Sequence, residues 1–328
     1  MDRARSKIIR IAFVFSFLLL PNVPVAKTRH RMESLAISPD GKIVAVSYLS
    51  GDTTFIYTVA LETGKAVRLT SAKTGKELSP AFSPDGKRIA YAYFAGKETN
   101  SRIIIVNADG SAAHSWPPSG VSDFGPLLSA DNKTIIFSRS GFFGSNSPIA
   151  QPHSHDWGFY AADLDGTNVR QITNESFYNV SAPSISSDGK KMVIMAEGLE
   201  SSQHLKTYSI TDPGQALQTL QPHVPNEVSH NDPIFNCPNY LPDGSILFMA
   251  ADRAVSYDVY RLNPESGAIE KLTNRSSYAT DLKVSLDGKT AVFLKWKWKW
   301  QDVTDESVLY VLDVESHKLT PVAITGLN

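Results

Sequence analysis

The chain has 328 residues and a formal net charge of −1, with 42% hydrophobic and 20% charged residues. That balance excludes wholesale disorder, a collagen-like repeat and a multi-span membrane protein. Near-neutral charge gives no electrostatic basis for nucleic-acid binding, and a single cysteine, Cys237, excludes an intrachain disulfide or a cysteine-rich metal centre.

In chain order, the first feature is an address. Arg3, Arg5, Lys7 and Arg10 precede an apolar run over 11–20, followed by Pro21, Pro24 and Ala26. A basic head, a short apolar middle and a small-residue exit form the pattern of a secretory signal, expected over 1–26. Ten helical residues reach about 15 Å, half of a ~30 Å hydrocarbon core, so a membrane anchor is not expected. Removal of this segment takes the net charge from −1 to −4. The expected location is periplasmic or secreted, with 27–33 a short lead into the first folded unit.

The rest is built on a repeat. Ser38-Pro39-Asp40-Gly41-Lys42 returns as Ser83-Pro84-Asp85-Gly86-Lys87. Weaker copies begin at Ser129, Ser186, Leu241 and Ser285, and the turn residues Gly41, Gly86, Asn132, Gly189, Gly244 and Gly288 are spaced by 45, 46, 57, 55 and 44. Asp-Gly supplies the positive φ of a tight hairpin, and Asn132 is the next best residue for it. A short apolar segment precedes each turn and a β-rich segment follows it, as over 43–48 and 88–93. Third strands are expected over 55–59, 103–106, 205–210, 257–262 and 308–312. Fourth strands are expected at Leu69-Thr70, Ile172-Thr173, Leu272-Thr273 and Leu319-Thr320. Four antiparallel strands every ~45 residues is the period of a propeller blade. The expected fold is all-β, a six-bladed β-propeller of four-stranded antiparallel blades over 34–325. No exchanged strand that would close the ring is evident.

The SPDGK turn, the Pro-x-aromatic segment before it and the Leu-Thr ending resemble the WD40-like repeats of the TolB family. The resemblance implies a propeller, a periplasmic address and a binding role in the cell envelope. Members of that family carry an α/β domain ahead of the propeller, and 27–33 is too short to hold one.

Enzyme signatures are absent: the sequence has no G-x-S-x-G, H-E-x-x-H, P-loop or C-x-x-C. A peptidase domain of the kind that propellers cap in the prolyl oligopeptidase family needs ~200 further residues. The repeated aspartates read as turn formers, so no catalytic residue is assigned.

The departures from the repeat fall on the face opposite the SPDG turns. There the insertion over 140–156 ends in His153-Ser154-His155-Asp156-Trp157, His204 lies between strands of blade four, and His230 and Asp232 lie on the link to blade five. His153, His155, His204 and His230 are the candidate ligands of a divalent metal, the one candidate cofactor, because imidazole and carboxylate suit zinc or manganese. Oligogalacturonate lyases are propellers with a histidine-bound metal, although no residue-by-residue match to them is present. In blade six, Lys295-Trp296-Lys297-Trp298-Lys299-Trp300 alternates three tryptophans against three lysines. Either Trp296, Trp298 and Trp300 extend a buried strand face or, with Trp157 and Asp232, they contact a ligand. Cys237 reads as a small buried hydrophobe. The expected function is that of an exported, non-enzymatic propeller binding an envelope protein, peptide or glycan through its loop-rich face. The alternative is a metal-dependent, polysaccharide lyase-like enzyme with its histidine site on that face.

Overall fold

The computed structural model describes residues 30–96, 101–117, 119–144, 153–181, 183–197, 203–213, 218–223, 234–253, 256–274, 278–299 and 302–327. The signal-like segment lies outside them. The described residues form strands and turns without a helix, arranged as six antiparallel blades whose strands follow one another in sequence. Blade 1 is β1 (His30–Ile37), β2 (Ile43–Ser50), β3 (Thr53–Ala60) and β4 (Ala66–Arg68). Blade 2 is β5 (Lys76–Phe82), β6 (Arg88–Phe94), β7 (Ser101–Asn107) and β8 (His114–Ser115). In blade 3, β9 (Asp123–Leu128) and β10 (Thr134–Arg139) are joined to β13 (Gly158–Asp163) and β14 (Arg170–Gln171) through a small hairpin of β11 (Phe142–Gly144) and β12 (His153–His155). Blade 4 has an inner strand split into β15 (Asn179–Val180) and β16 (Ser184–Ile185), followed by β17 (Lys191–Glu197), β18 (Gln203–Ser209) and β19 (Gln218–Leu220). Blade 5 is β20 (Ile234–Tyr240), β21 (Ile246–Arg253), β22 (Ser256–Leu262) and β23 (Ile269–Lys271). Blade 6 is β24 (Ala279–Val284), β25 (Thr290–Lys299), β26 (Asp302–Asp313) and β27 (Leu319–Pro321).

The repeated turn is held by its own side chains. Ser38 Oγ donates to Asp40 Oδ1 at 2.6 Å, and that oxygen also accepts from Lys42 N at 3.2 Å. The same pair recurs at Ser83–Asp85, Ser129–Asp131, Ser186–Asp188 and Ser285–Asp287. These serine hydroxyls are the main reason that the five carboxyls lie below the ordinary range. Gly41 takes φ +71° and Asn132 takes φ +58°, the left-handed conformation the hairpin requires. The aspartates are therefore consumed by the turn.

Between neighbouring blades lie six clusters of buried apolar side chains, one to each seam. Ile56 meets Phe82 and Ile89 between blades 1 and 2; Phe159 meets Phe177 and Ile194 between blades 3 and 4. The seam between blades 6 and 1 is filled in the same way, with Val292, Leu294 and Leu309 against Val44, Val46 and Tyr57. Each blade has two apolar faces, so only a closed ring buries them all.

The Leu-Thr ending has a specific task just past the outer strand. Leu69 N donates to Ile56 O at 2.8 Å while Thr70 Oγ1 accepts from Ile56 N at 3.0 Å. Ile172-Thr173 on Phe159 and Leu272-Thr273 on Val259 repeat both bonds. In blade 6 the register differs by three residues: Leu319-Thr320 lies within β27, and Val322 N makes the equivalent bond to Leu309 O.

That shift places the last described residues against blade 1. Lys65 and Thr325 form a parallel bridge, Ala66 N donates to Thr325 O at 2.8 Å, and Thr325 N donates to Gly64 O at 2.9 Å. His223 N donates to Gly267 O at the seam between blades 4 and 5 in the same manner. The ring therefore closes with a contact also made between blades 4 and 5, and among the described residues no strand is exchanged between blades.

Candidate functional site: the axial channel

Each inner strand pairs with one neighbour only, so its second edge faces the propeller axis. Bulges interrupt these strands at matching positions, with register skips between Met32 and Ser34, Leu78 and Ala81, Asn236 and Asn239, and Thr280 and Lys283. The residue four before each turn's first position is Ser34, Ser79, Gly125, Ala182, Cys237 or Asp281. Ser79, Gly125, Cys237 and Asp281 all have positive φ, between +48° and +59°. Bulges re-aim backbone and side chains locally, and here they form the waist of a channel. Hydrogen bonds lace the waist across seams: Ser79 N donates to Ser34 Oγ at 2.9 Å, and Asn239 Nδ2 donates to Leu282 O at 2.8 Å.

From the waist to the SPDG turns the channel is a cavity of about 420 Å³, within the size range of ligand sites. Its rim is the second residue of each turn: Pro39, Pro84, Ala130, Ser187, Pro242 and Leu286. Leu286 is 58% exposed there. The wall carries two charged side chains, Asp281 and Lys283.

Asp281 has its carboxyl pushed up to about 6, chiefly by burial and further by the Glu33 carboxylate, against the opposing pull of Lys283 and Thr280. Beside it, burial and then the Asp281 charge push the Cys237 thiol up to about 11. A thiol protonated at neutral pH is a poor nucleophile, and Cys237 Sγ donates to Asn236 Oδ1 at 3.2 Å. On the loop side of the waist, Arg31 and Glu33 form a buried pair at 2.9 Å. The Arg31 guanidinium lies 5.9 Å from the ring centre of Trp296.

The residues singled out from sequence lie elsewhere. Trp296 is 6% exposed, and its Nε1 donates to Thr280 Oγ1 at 3.0 Å, so it belongs to the buried strand face. Trp300 and the side chain of Trp298 lie outside the described residues. Trp157 is buried in the seam between blades 3 and 4, and its backbone exchanges hydrogen bonds with Phe177 at 3.0 and 2.8 Å. His155 is 4% exposed, stacks on Phe142 with ring centres 4.9 Å apart, and donates through Nε2 to Gly144 O at 3.1 Å. His204 lies on β18 opposite Ala196. His230, Asp232 and the side chain of His153 lie outside the described residues. Among the described residues, no three His, Cys, Asp or Glu side chains gather as a metal site.

Asp281 and Lys283 were missed because their strand reads as apolar filling. One signal was present: aligning the repeats sets Asp281 level with Ser79, Gly125, Ala182 and Cys237. It is the one acidic residue at a position otherwise filled by small ones.

No family model matches the chain, and no curated protein matches it. Solved structures do. TolB from Acinetobacter baumannii aligns with a TM-score of 0.60 at 17% identity, over 90% of this chain and 64% of that one. An oligogalacturonate lyase in complex with manganese aligns with a TM-score of 0.57 at 15% identity, over 90% of this chain and 78% of that one. The β-propeller domain of the Trilobed protease from Pyrococcus furiosus, described as having an open velcro topology, aligns at 0.54 and 14% identity, over 92% of this chain and 99% of that one. The chain thus spans less than two thirds of the TolB structure. At such identities these likenesses establish architecture: the chain folds as a six-bladed β-propeller similar to that of TolB.

Proposed function

We propose that this chain is an exported, non-catalytic propeller that binds a peptide segment in its axial channel, entered from the face of the SPDG turns. The observation that carries the reading is the cavity of about 420 Å³ with an apolar rim and a polar floor. Six strand edges face it, and a main chain in an extended conformation is the natural partner of strand edges. Pro39, Pro84, Pro242 and Leu286 offer the rim apolar contact, while Asp281 and Lys283 below offer one charge of each sign to a peptide's own charged groups. Trp296 and Trp157, the described tryptophans of the expected sugar platform, are both buried, which favours a peptide over a glycan. Export rests on the basic, apolar and small-residue pattern over 1–26. No helix among the described residues is long and apolar enough to cross a membrane.

The test is panning of a displayed peptide library on the wild-type protein and on a variant with two tryptophans at the rim, A130W/S187W. Ala130 and Ser187 are exposed and belong to none of the six buried clusters, so both changes leave the apolar packing between blades in place. Peptides enriched on the wild type should bind the variant at least tenfold more weakly. Equal binding to both proteins, or no enrichment, rejects the channel as the site.

A further inference from the structure

At the loop-side end of blade 4, three oxygen-bearing side chains stand in a row across the sheet. Asn179 on β15 pairs with Glu197 on β17, and Glu197 pairs with Gln203 on β18. Directly paired residues project from the same face of a sheet, with Cβ atoms about 4.5–5.5 Å apart. By alternation this is also the face of Val193 and Met195, which pack against Phe235 and Phe248 of blade 5. The row therefore caps the apolar seam between blades 4 and 5.

Two acceptors in that row have no donor among the described residues. Glu197 is 4% exposed, and among the described residues its Oε2 accepts no hydrogen bond; Gln203 Oε1, its neighbour across the strands, is likewise buried and unpartnered among them. Other buried carboxylates of the inner and middle strands are served. Asp123 receives Arg139 at 2.7 and 2.9 Å, Glu33 receives Arg31, and Asp258 receives Thr273 and Lys271. A buried acceptor without a partner costs about 1–3 kcal/mol, and more when charged. Two adjacent ones mark the place of a shared positive partner.

We propose that Glu197 and Gln203, with Asn179 beside them, bind one calcium ion at the loop-side end of the seam between blades 4 and 5. A carboxylate and amide carbonyls are hard oxygen donors, which suit calcium and not the softer metals that prefer imidazole or thiolate. Calcium tolerates an irregular shell completed by water, whereas magnesium demands near-ideal octahedral geometry. With a single carboxylate, affinity falls in the weak range typical of extracellular modules, about 0.1–1 mM. The site is separate from the axial cavity, which none of the three residues lines, and its residues are distinct from the histidines considered above.

The experiment is calorimetric titration of calcium chloride into chelator-treated full-length protein, with thermal unfolding in parallel. The wild type should bind one calcium saturably and melt higher when loaded. E197Q should bind at least tenfold more weakly, Q203L should bind several-fold more weakly, and magnesium should bind at least tenfold more weakly than calcium. Absence of saturable binding and of any melting shift up to about 10 mM, well above that affinity range, overturns the proposal. In that case a rotated Gln203 amide donates through Nε2 to Glu197. Undiminished binding by E197Q, or loss of binding on H155A, overturns it equally. Should E197Q fail to fold, Q203L decides between the same outcomes.

Discussion

A Cβ placed on Gly64 in the first blade would lie 1.9 Å from the carbonyl oxygen of Ala323 at the far end of the sequence. This is the tightest form of a contact that recurs around the ring. A Cβ on Gly110 would meet Leu69 O at 2.8 Å, one on Gly166 the Trp116 ring at 2.9 Å, and one on Gly267 Gln221 O at 2.5 Å. In each case the glycine of a third-to-fourth-strand turn rides on the segment that ends the preceding blade. The first blade thus treats the last as its predecessor, and that makes the repeat circular.

Gly64→Ala should consequently break the closure. The new methyl group meets backbone, which cannot rotate away, at a residue whose φ is +69°. A loss of about 2–4 kcal/mol is expected in urea unfolding. Gly51 has φ +65° but nothing within 4 Å of its Cβ, so Gly51→Ala should cost about 1 kcal/mol. Equal losses from the two changes would show that the closing contact carries no special weight.

Thr70 and Thr173 hold the same place in their blades but different loads. Thr173 Oγ1 accepts from Phe159 N. Thr70 Oγ1 accepts from Ile56 N and also donates to Glu77, a carboxyl 2% exposed whose pKa burial raises. Thr70→Val keeps the shape and strips a donor from that carboxylate, so it should destabilise by about 2–3 kcal/mol, against about 1 kcal/mol for Thr173→Val. Chemical denaturation of the two variants side by side checks the ordering.

Asp281 imposes a pH dependence of definite sign. Its carboxyl stands at about 6 in the folded chain and near 3.9 when unfolded. The folded state therefore holds the extra proton between those values, and stability falls as pH rises through that window and is level above it. Asp281→Asn keeps a side chain that tolerates φ +59° and removes the charge. The variant should match the wild type near pH 4 and exceed it by about 1–2 kcal/mol at pH 7. Unfolding midpoints at both pH values decide this, and a variant weaker than the wild type at pH 7 contradicts it.

The fold was legible because its marker is local. A serine, an aspartate and a glycine within four residues complete the hairpin turn by themselves, so Ser38 to Gly41 reads the same in sequence as in space. The Leu-Thr ending was legible as a position, although its purpose, two bonds to the third strand, was not. Closure was hidden because Gly64 and Ala323 are far apart in sequence and Ala323 lacks the hydroxyl of Thr70 or Thr173. The tryptophan stripe offered no means of knowing that Thr280 and Arg31 cover Trp296. The histidines read in sequence as sharing the loop-rich side of successive blades, yet His155 is drawn into a hairpin with Phe142 and Gly144. Residues that build a repeat announce themselves by recurrence, whereas those that break it need the third dimension to show what they touch.

The most direct test of binding in the axial channel is photo-cross-linking. A panned peptide carrying a benzophenone is irradiated with the protein, and the adducts are mapped by mass spectrometry. Adducts confined to 34–39, 79–84, 125–130, 183–187, 239–242 and 281–286 are predicted, since these segments line the cavity. Adducts concentrated on the opposite face, in 140–144 or 153–156, would contradict it.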